Sequence, residues 1–563
     1  MKLAAAALAA AVLAVPAAPG ADATQLGVGY ICGAEQAARP GVAETAVMLA
    51  GVGNGASPAD TANARAQAWF DEGLNLYHAF NHNEARDAFA RAAALDPACA
   101  LCEWGVALGL GPTLNYGVTA DETAEALTHA QRAARLAKAG DARAQGLIDA
   151  MLVRYAKDRA DRDQAFAKAM DDLVRRYPAD DQVAVLAAEA LMIPGRGSDA
   201  ANVARAEAIL KVVLARRPDD TAAIHYYIHA SEFAGRPGDA LPYAEKLAGL
   251  APGASHLVHM AAHTLMHVGR YEQVAVLDAQ ALKVDADVEA RLRYPGPLSA
   301  QMYYLHNYTF GLAGALMAGD GRLAVKYADH AEVAFPAGFN GAIALPAGLT
   351  RAEKPADRRA TAQARSLVAL GRYAPARALA LTDVAGEKPI LKVYRHYARG
   401  EAFAARADAA GVRREADALV ALQAAAIKSA DLEAQSIAGI AADVLSGRAA
   451  LLSRQPERAA GYFARAAENQ ERSYPFAKAF DPPPWWYPVR RSLAAADLAA
   501  GKPADAAREA RASLKDWPAD ALALRVLSQA EAKLGDAKGS QAHAAEARGH
   551  WRGDLAKVPL ALT

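Results

Sequence analysis

Histidine is spread unevenly along this chain. Of 14 histidines, seven lie between positions 225 and 306, where even spacing would place about two. They are His225, His229, His256, His259, His263, His267 and His306. His225 and His229 are four apart, as are His259 and His263, with His267 four further on, so on a helix each set lines one face. Converging imidazoles at that spacing suit a transition metal, with copper and zinc foremost, nickel or iron next. The expected ligands are His225, His229, His259 and His263, with His256, His267 and His306 as additions. Three or four histidines that leave a coordination position open support hydrolysis or oxygen chemistry, for which a general base is needed. Glu232, almost one turn on from His229, is the nearby carboxylate to nominate. Two other readings fit the same residues. One is a metal-free polar groove that holds an acidic peptide through partly protonated imidazoles. The other is packing, with His256 and His267 hydrogen-bonded to Tyr226, Tyr227 or a carbonyl. Tyr226, Tyr227 and Tyr304 make the region aromatic, and packing is the simpler role for them.

Three cysteines add a second, smaller chemistry: Cys32, Cys99 and Cys102. Cys99 and Cys102 straddle a turn and a helix start in PACALCEWG. Glu103 stands where a c-type haem attachment needs histidine, so no haem is expected. A structural disulfide, within the pair or from Cys32 to one member, is the leading role in an exported protein. A redox couple and a thiolate site for Cu(I) are the alternatives. In DPPPWWYPVRR the prolines impose an extended approach, after which Trp485, Trp486 and Tyr487 can cap a helix pair. His78 and His82, in the FNHNEA stretch and just before it, read as residues of an ordinary inter-helix turn.

The elements that must position these residues are helices. Trp69, Gly73, Ala85, Phe89, Ala92 and Pro97 fall at the spacing of the tetratricopeptide repeat, W-x3-G then A-x3-F-x2-A and a closing proline. Small residues at 73 and 85 let two helices touch, Phe89 fills the space between them, and Pro97 stops the second helix. Other pairs are phased by their closing prolines, and Pro218 and Pro252 are one repeat length apart. Counted from those prolines, His225 and His229 occupy positions 5 and 9 of one unit, His259 and His263 the same positions of the next. Such positions face the concave groove of tetratricopeptide arrays, so imidazoles from neighbouring first helices converge there. No period-2 strand pattern appears, and the expected fold is all-α, a tetratricopeptide-like helical solenoid of antiparallel helix pairs.

Composition agrees. The chain has 563 residues, is rich in alanine and has 7% aromatics, which favours an elongated array of closely packed helices over one globular core. Lys+Arg and Asp+Glu balance at 62 each, so there is no basic face for nucleic acid or an anionic membrane. No nucleotide site is expected. The opening MKLAAAALAAAVLAVPAAPGADA reads as a secretory signal peptide cut after Ala23. The mature chain is then expected in the periplasm or secreted, with no membrane-spanning segment. The expected layout is a signal peptide (1–23), an N-terminal segment (24–57), an array with the histidine-rich groove (58–335), a linker (336–357) and a second array with PPPWWYP (358–563). A further linker is expected over 471–484.

Five segments together resemble a bacterial family of exported tetratricopeptide-repeat proteins with paired H-x3-H motifs and mostly undefined function. They are AWFDEGLNLYHAFNHNEARDAFARAAALDPACALCEWGVALGLGP, HYYIHASE, HLVHMAAHTLMHVGRY, YYLHNYTF and PPPWWYPVRRSL. The resemblance runs with gaps from about Gln67 to about Gly535. It implies a helical solenoid, often with a signal peptide, and no defined substrate. This chain departs from it at AAH, where relatives carry proline before the second histidine. The expectation is a periplasmic scaffold that binds copper or zinc. A metal-dependent oxidase, oxygenase or hydrolase and a metal-free interaction adaptor are the alternatives, with a protein, peptide or small molecule in the groove.

Overall fold

The computed structural model describes residues 46–114, 118–156, 160–292, 302–334, 358–476 and 481–563. The signal peptide, Cys32 and the 336–357 linker lie outside these residues. No strand occurs among the described residues, and twenty-four α-helices do. The first fourteen are α1 (Ala64–His78), α2 (His82–Leu95), α3 (Ala100–Gly109), α4 (Ala120–Leu136), α5 (Ala142–Arg154), α6 (Arg162–Arg176), α7 (Asp181–Met192), α8 (Ala200–Arg216), α9 (Thr221–Phe233), α10 (Leu241–Leu250), α11 (Ser255–His267), α12 (Tyr271–Leu292), α13 (Met302–Met317) and α14 (Gly321–Ala334). After residue 357 come α15 (Arg358–Tyr373), α16 (Pro375–Leu379), α17 (Pro389–Ala405), α18 (Ala409–Ser429), α19 (Leu432–Leu452), α20 (Pro456–Ser473), α21 (Arg490–Ala499), α22 (Pro503–Asp516), α23 (Ala521–Leu534) and α24 (Ala537–Gly549).

The repeat chemistry acts as its residue types dictate. Phe89 of α2 is buried, and a Cβ at Gly73 of α1 or Gly105 of α3 would sit 2.7 or 2.3 Å from its ring. One phenyl group thus locks three helices because two of them present no side chain to it. Prolines 178 and 218 end one helix, and an aspartate two residues later starts the next. The Asp180 and Asp220 carboxylates accept the backbone N–H of Val183 and Ala223, satisfying donors at the helix start that have no partner within the helix.

Consecutive helices pack on each other, and alternate helices also touch: α1 on α3, α9 on α11, α11 on α13 and α21 on α23. That is the contact pattern of a tetratricopeptide-like solenoid. The odd-numbered helices of the first half form its inner wall, and the curl is tight enough for α1 to meet α9. Residues 48–55 close the wall further. The Gly253 N–H donates to the Gly51 carbonyl at 2.8 Å, and the Asn54 side chain accepts from Thr221 N–H at 3.1 Å.

The second array folds back onto the first. Arg552 N–H donates to the Ala318 carbonyl at 2.9 Å, and the Arg491 guanidinium reaches the Met317 sulfur. One continuous buried apolar cluster runs from Leu49 to Leu562. The segment expected as a linker over 471–484 is instead largely packed where it is described. α20 continues to Ser473, and Tyr474 and Phe476 are buried. Trp485, Trp486 and Tyr487 are also buried, with Trp486 Nε1–H donating to the Tyr397 hydroxyl.

Candidate metal centre

The inner helices α9, α11 and α13 carry the histidines. On α9, His225 and His229 share a face with Glu232. On α11 the sequence SHLVHMAAHTLMH puts His256, His259 and His263 along the side shared by its two inner neighbours. His306 comes from α13. Six of these histidines form two buried triads. His225, His229 and His256 make the first, and His259, His263 and His306 the second; within each, one nitrogen of every ring lies within 4.8 Å of the others. Among the described residues no other group of histidine, cysteine and acidic residues meets that condition.

The rings are held from outside. His225 Nδ1 donates to the His78 carbonyl at 2.6 Å. His259 Nδ1 lies 2.6 Å from Asp278 Oδ1, and His263 Nδ1 2.9 Å from Glu232 Oε1. His306 Nδ1 is 3.4 Å from Asp481 Oδ1. An acceptor on Nδ1 takes the ring N–H and leaves Nε2 as a lone pair, the arrangement that orients imidazole ligands towards a metal. In the second triad a carboxyl oxygen stands at hydrogen-bond distance from Nδ1 of His259 and of His263. Its His263 and His306 Nε2 atoms are 3.1 Å apart, close enough for one ion to touch both. Elsewhere, both ring nitrogens of His229 and Nε2 of His259 are buried without a hydrogen-bond partner, although buried polar atoms nearly always have one.

Burial sets the protonation. It pushes His225 down to about 3 and holds His229, His256 and His259 well below the usual imidazole range; neighbouring imidazoles add to the effect. These rings are therefore neutral at physiological pH, the form that binds metal. Burial pushes the Asp278 carboxyl well up, and Asp285, beside Asn307, up to about 7.

A phenyl ring walls each triad. Phe80 lies 4.5 Å from His225 and 4.9 Å from His256, centroid to centroid. Phe310 lies 4.8, 4.6 and 4.9 Å from His259, His263 and His306. Phe80 occupies the turn after α1 with φ +58°, a left-handed backbone that a non-glycine residue adopts at some cost.

Several expectations change in consequence. The four histidines expected to form one ligand set are divided between two triads, and His256 and His306 complete them. His267 belongs to neither; it is half-buried and stacked on Phe476 at 4.9 Å. The cluster does not line an open groove, because all six histidines are buried and α1 meets α9. Glu232 orients His263 and lies 3.8 Å from His229 Nδ1, so it is not an unengaged base. The tyrosines do not line a groove either. Tyr226 is buried beside the His78 ring, with 3.3 Å between its hydroxyl and Nδ1. Tyr227 packs on Tyr243, and Tyr304 bonds to His330. His78 and His82 are not bystanders in a turn. Both are buried and pushed down to about 3, and the His78 carbonyl fixes His225. Cys99 and Cys102 are joined as a disulfide at the start of α3.

Sequence reasoning did not find Phe80, Asp278 or Asp481. Asp278 is 19 residues from its histidine, and Asp481 comes from the other half of the chain. Phe310, one turn after His306, carried the one usable signal.

No protein-family model and no curated protein matches the chain. Solved structures that align with it include a monomeric IFIT1 mutant with Gppp-AAAA, with 11% identity, 80% of this chain and 90% of that chain covered, and a TM-score of 0.30. The TPR domain of P58(IPK) aligns with 13% identity, covering 68% and 96%, with a TM-score of 0.21. The Cut9–Hcn1 assembly of the APC/C aligns with 12% identity, covering 84% and 78%, with a TM-score of 0.26. Among the described residues, no helix is long and apolar enough to cross a membrane.

Proposed function

We propose that this helical-repeat protein is an exported scaffold, periplasmic or secreted, that holds a transition metal, copper or zinc, through histidines of α9, α11 and α13. The observation that carries this reading is the pair of buried histidine triads, with a carboxyl group bonded to Nδ1 of His259 and of His263. Neutral nitrogen donors without thiolate suit these metals. Iron fits less well, because its open-site enzymes usually add a carboxylate ligand. The buried, phenyl-walled setting also favours a second reading, a metal-dependent oxidase or oxygenase acting on a small molecule, since a peptide would not reach the rings.

Elemental analysis of the full chain, purified without chelator and then offered copper or zinc, tests the proposal. Bound metal is expected, with at least half of it lost in His263→Ala and in His306→Ala while helicity by circular dichroism is kept. No bound metal and no uptake would leave the metal-free adaptor as the surviving account.

A further inference from the structure

The two triads are built alike. Each takes an i,i+4 pair from one inner helix and a single histidine from the next: His225 and His229 with His256, then His259 and His263 with His306. The pairs are one 34-residue repeat apart in the sequence, so the site is duplicated by the same operation that builds the solenoid. The middle helix, α11, serves both copies, which brings them together. Rings of different triads approach to 6.1 Å between centroids at His229 and His263, and again at His256 and His259. Glu232 stands at the junction, with Oε1 on His263 and Oε2 facing His229 at 3.8 Å.

Resting on the metal-binding reading above, we propose that the triads form one dinuclear copper centre, three histidines to each ion, which takes up dioxygen between the two ions. Three neutral nitrogens are a sufficient shell for Cu(I), whereas zinc and iron require further ligands. Charge points the same way. The carboxyl groups of Glu232 and Asp278, both buried, and of Asp481, partly exposed, supply at most three negative charges to the site. That offsets two monovalent ions but not two divalent ones, and burying uncompensated charge is costly. Oxidation of the pair therefore calls for an anion at the centre. Dioxygen provides it: each Cu(I) gives up one electron, O2 gains two and reaches the oxidation level of peroxide, and no proton moves. As a small neutral molecule, O2 can also pass the phenyl rings that exclude larger or charged ones. Paired metal sites elsewhere hold their ions about 3.5–4 Å apart, close enough for one oxygen ligand to touch both.

The full chain is loaded anaerobically with Cu(I), its copper counted, and air admitted. We expect two copper ions per chain and one O2 consumed per chain. The X-ray absorption edge moves to that of Cu(II), while the paramagnetic resonance signal stays nearly absent because the two spins pair through the shared ligand. His229→Gln, checked for folding by circular dichroism, halves the copper and gives the full signal of an isolated Cu(II) when oxidised chemically. One ion per chain in the unaltered protein, two fully visible Cu(II) spins, or copper that stays Cu(I) in air would each overturn the dinuclear proposal while leaving metal binding intact. No copper at all would overturn both.

Discussion

At the level of single residues, the second triad carries the strongest argument. His259 and His263 each turn Nδ1 to a carboxyl group, Asp278 and Glu232, and the Nε2 atoms of His263 and His306 face each other at 3.1 Å. Outer carboxylates of this kind raise ligand basicity and fix ring orientation, and removing one typically weakens metal binding by about 10–100-fold. Asp278→Asn is therefore expected to lower copper affinity within that range, measured by competition with a chromophoric chelator. His267→Ala makes the contrasting case. Its ring stacks on Phe476 and belongs to neither triad, so metal content should stay unchanged, and a loss equal to that in His306→Ala would mean the ligand set is wrong.

Among elements, the 34-residue spacing made the pairs on α9 and α11 legible in the sequence, because repeat length and helical period together fix which face each histidine occupies. The third inner helix was not legible. α12 runs for 22 residues, so His306 falls 50 positions after His256 instead of one repeat, and counting from prolines loses its register. Nor did periodicity reveal that the groove is filled, since that depends on the curl of α1 onto α9 and on a turn that aims Phe80 inward. The repeat packing itself makes a stability prediction. Gly105→Val would press a side chain into the Phe89 ring, and overpacking of this kind costs about 1–3 kcal/mol. A fall in the urea midpoint of the metal-free protein checks it. An unchanged midpoint would show that Phe89 has room to move.

Taken as a whole, the molecule invests many buried titratable groups in one region, and this has a pH signature. In the metal-free protein, burial pushes His78, His82 and His225 down to about 3 and His229, His256 and His259 well below the usual range. Between those values and the unfolded histidine value near 6.5, the unfolded chain takes up protons that the folded chain refuses, so stability falls as pH falls. Glu189 and Asp285, pushed up to about 7, and Asp278, pushed well up, act in the opposite sense, because the folded chain keeps their protons. Six histidines outweigh three carboxyl groups. The urea midpoint of the metal-free protein should therefore be lower at pH 5.5 than at pH 7.5, and an equal or higher midpoint would show that the rings are not held neutral. Bound metal should raise the midpoint, because only the folded chain assembles the triads. The second array belongs to the same assembly, since it supplies Asp481 to His306 and packs against the ends of α11 and α13. The most direct test of the account is anomalous X-ray diffraction from crystals of the copper-loaded full chain. The account predicts density in the His259, His263 and His306 triad, at the roughly 2.0–2.1 Å from the ligating nitrogens that is typical of metal–imidazole bonds, with a second peak in the His225, His229 and His256 triad. Copper found only on surface histidines, with both triads free of anomalous density, would contradict it.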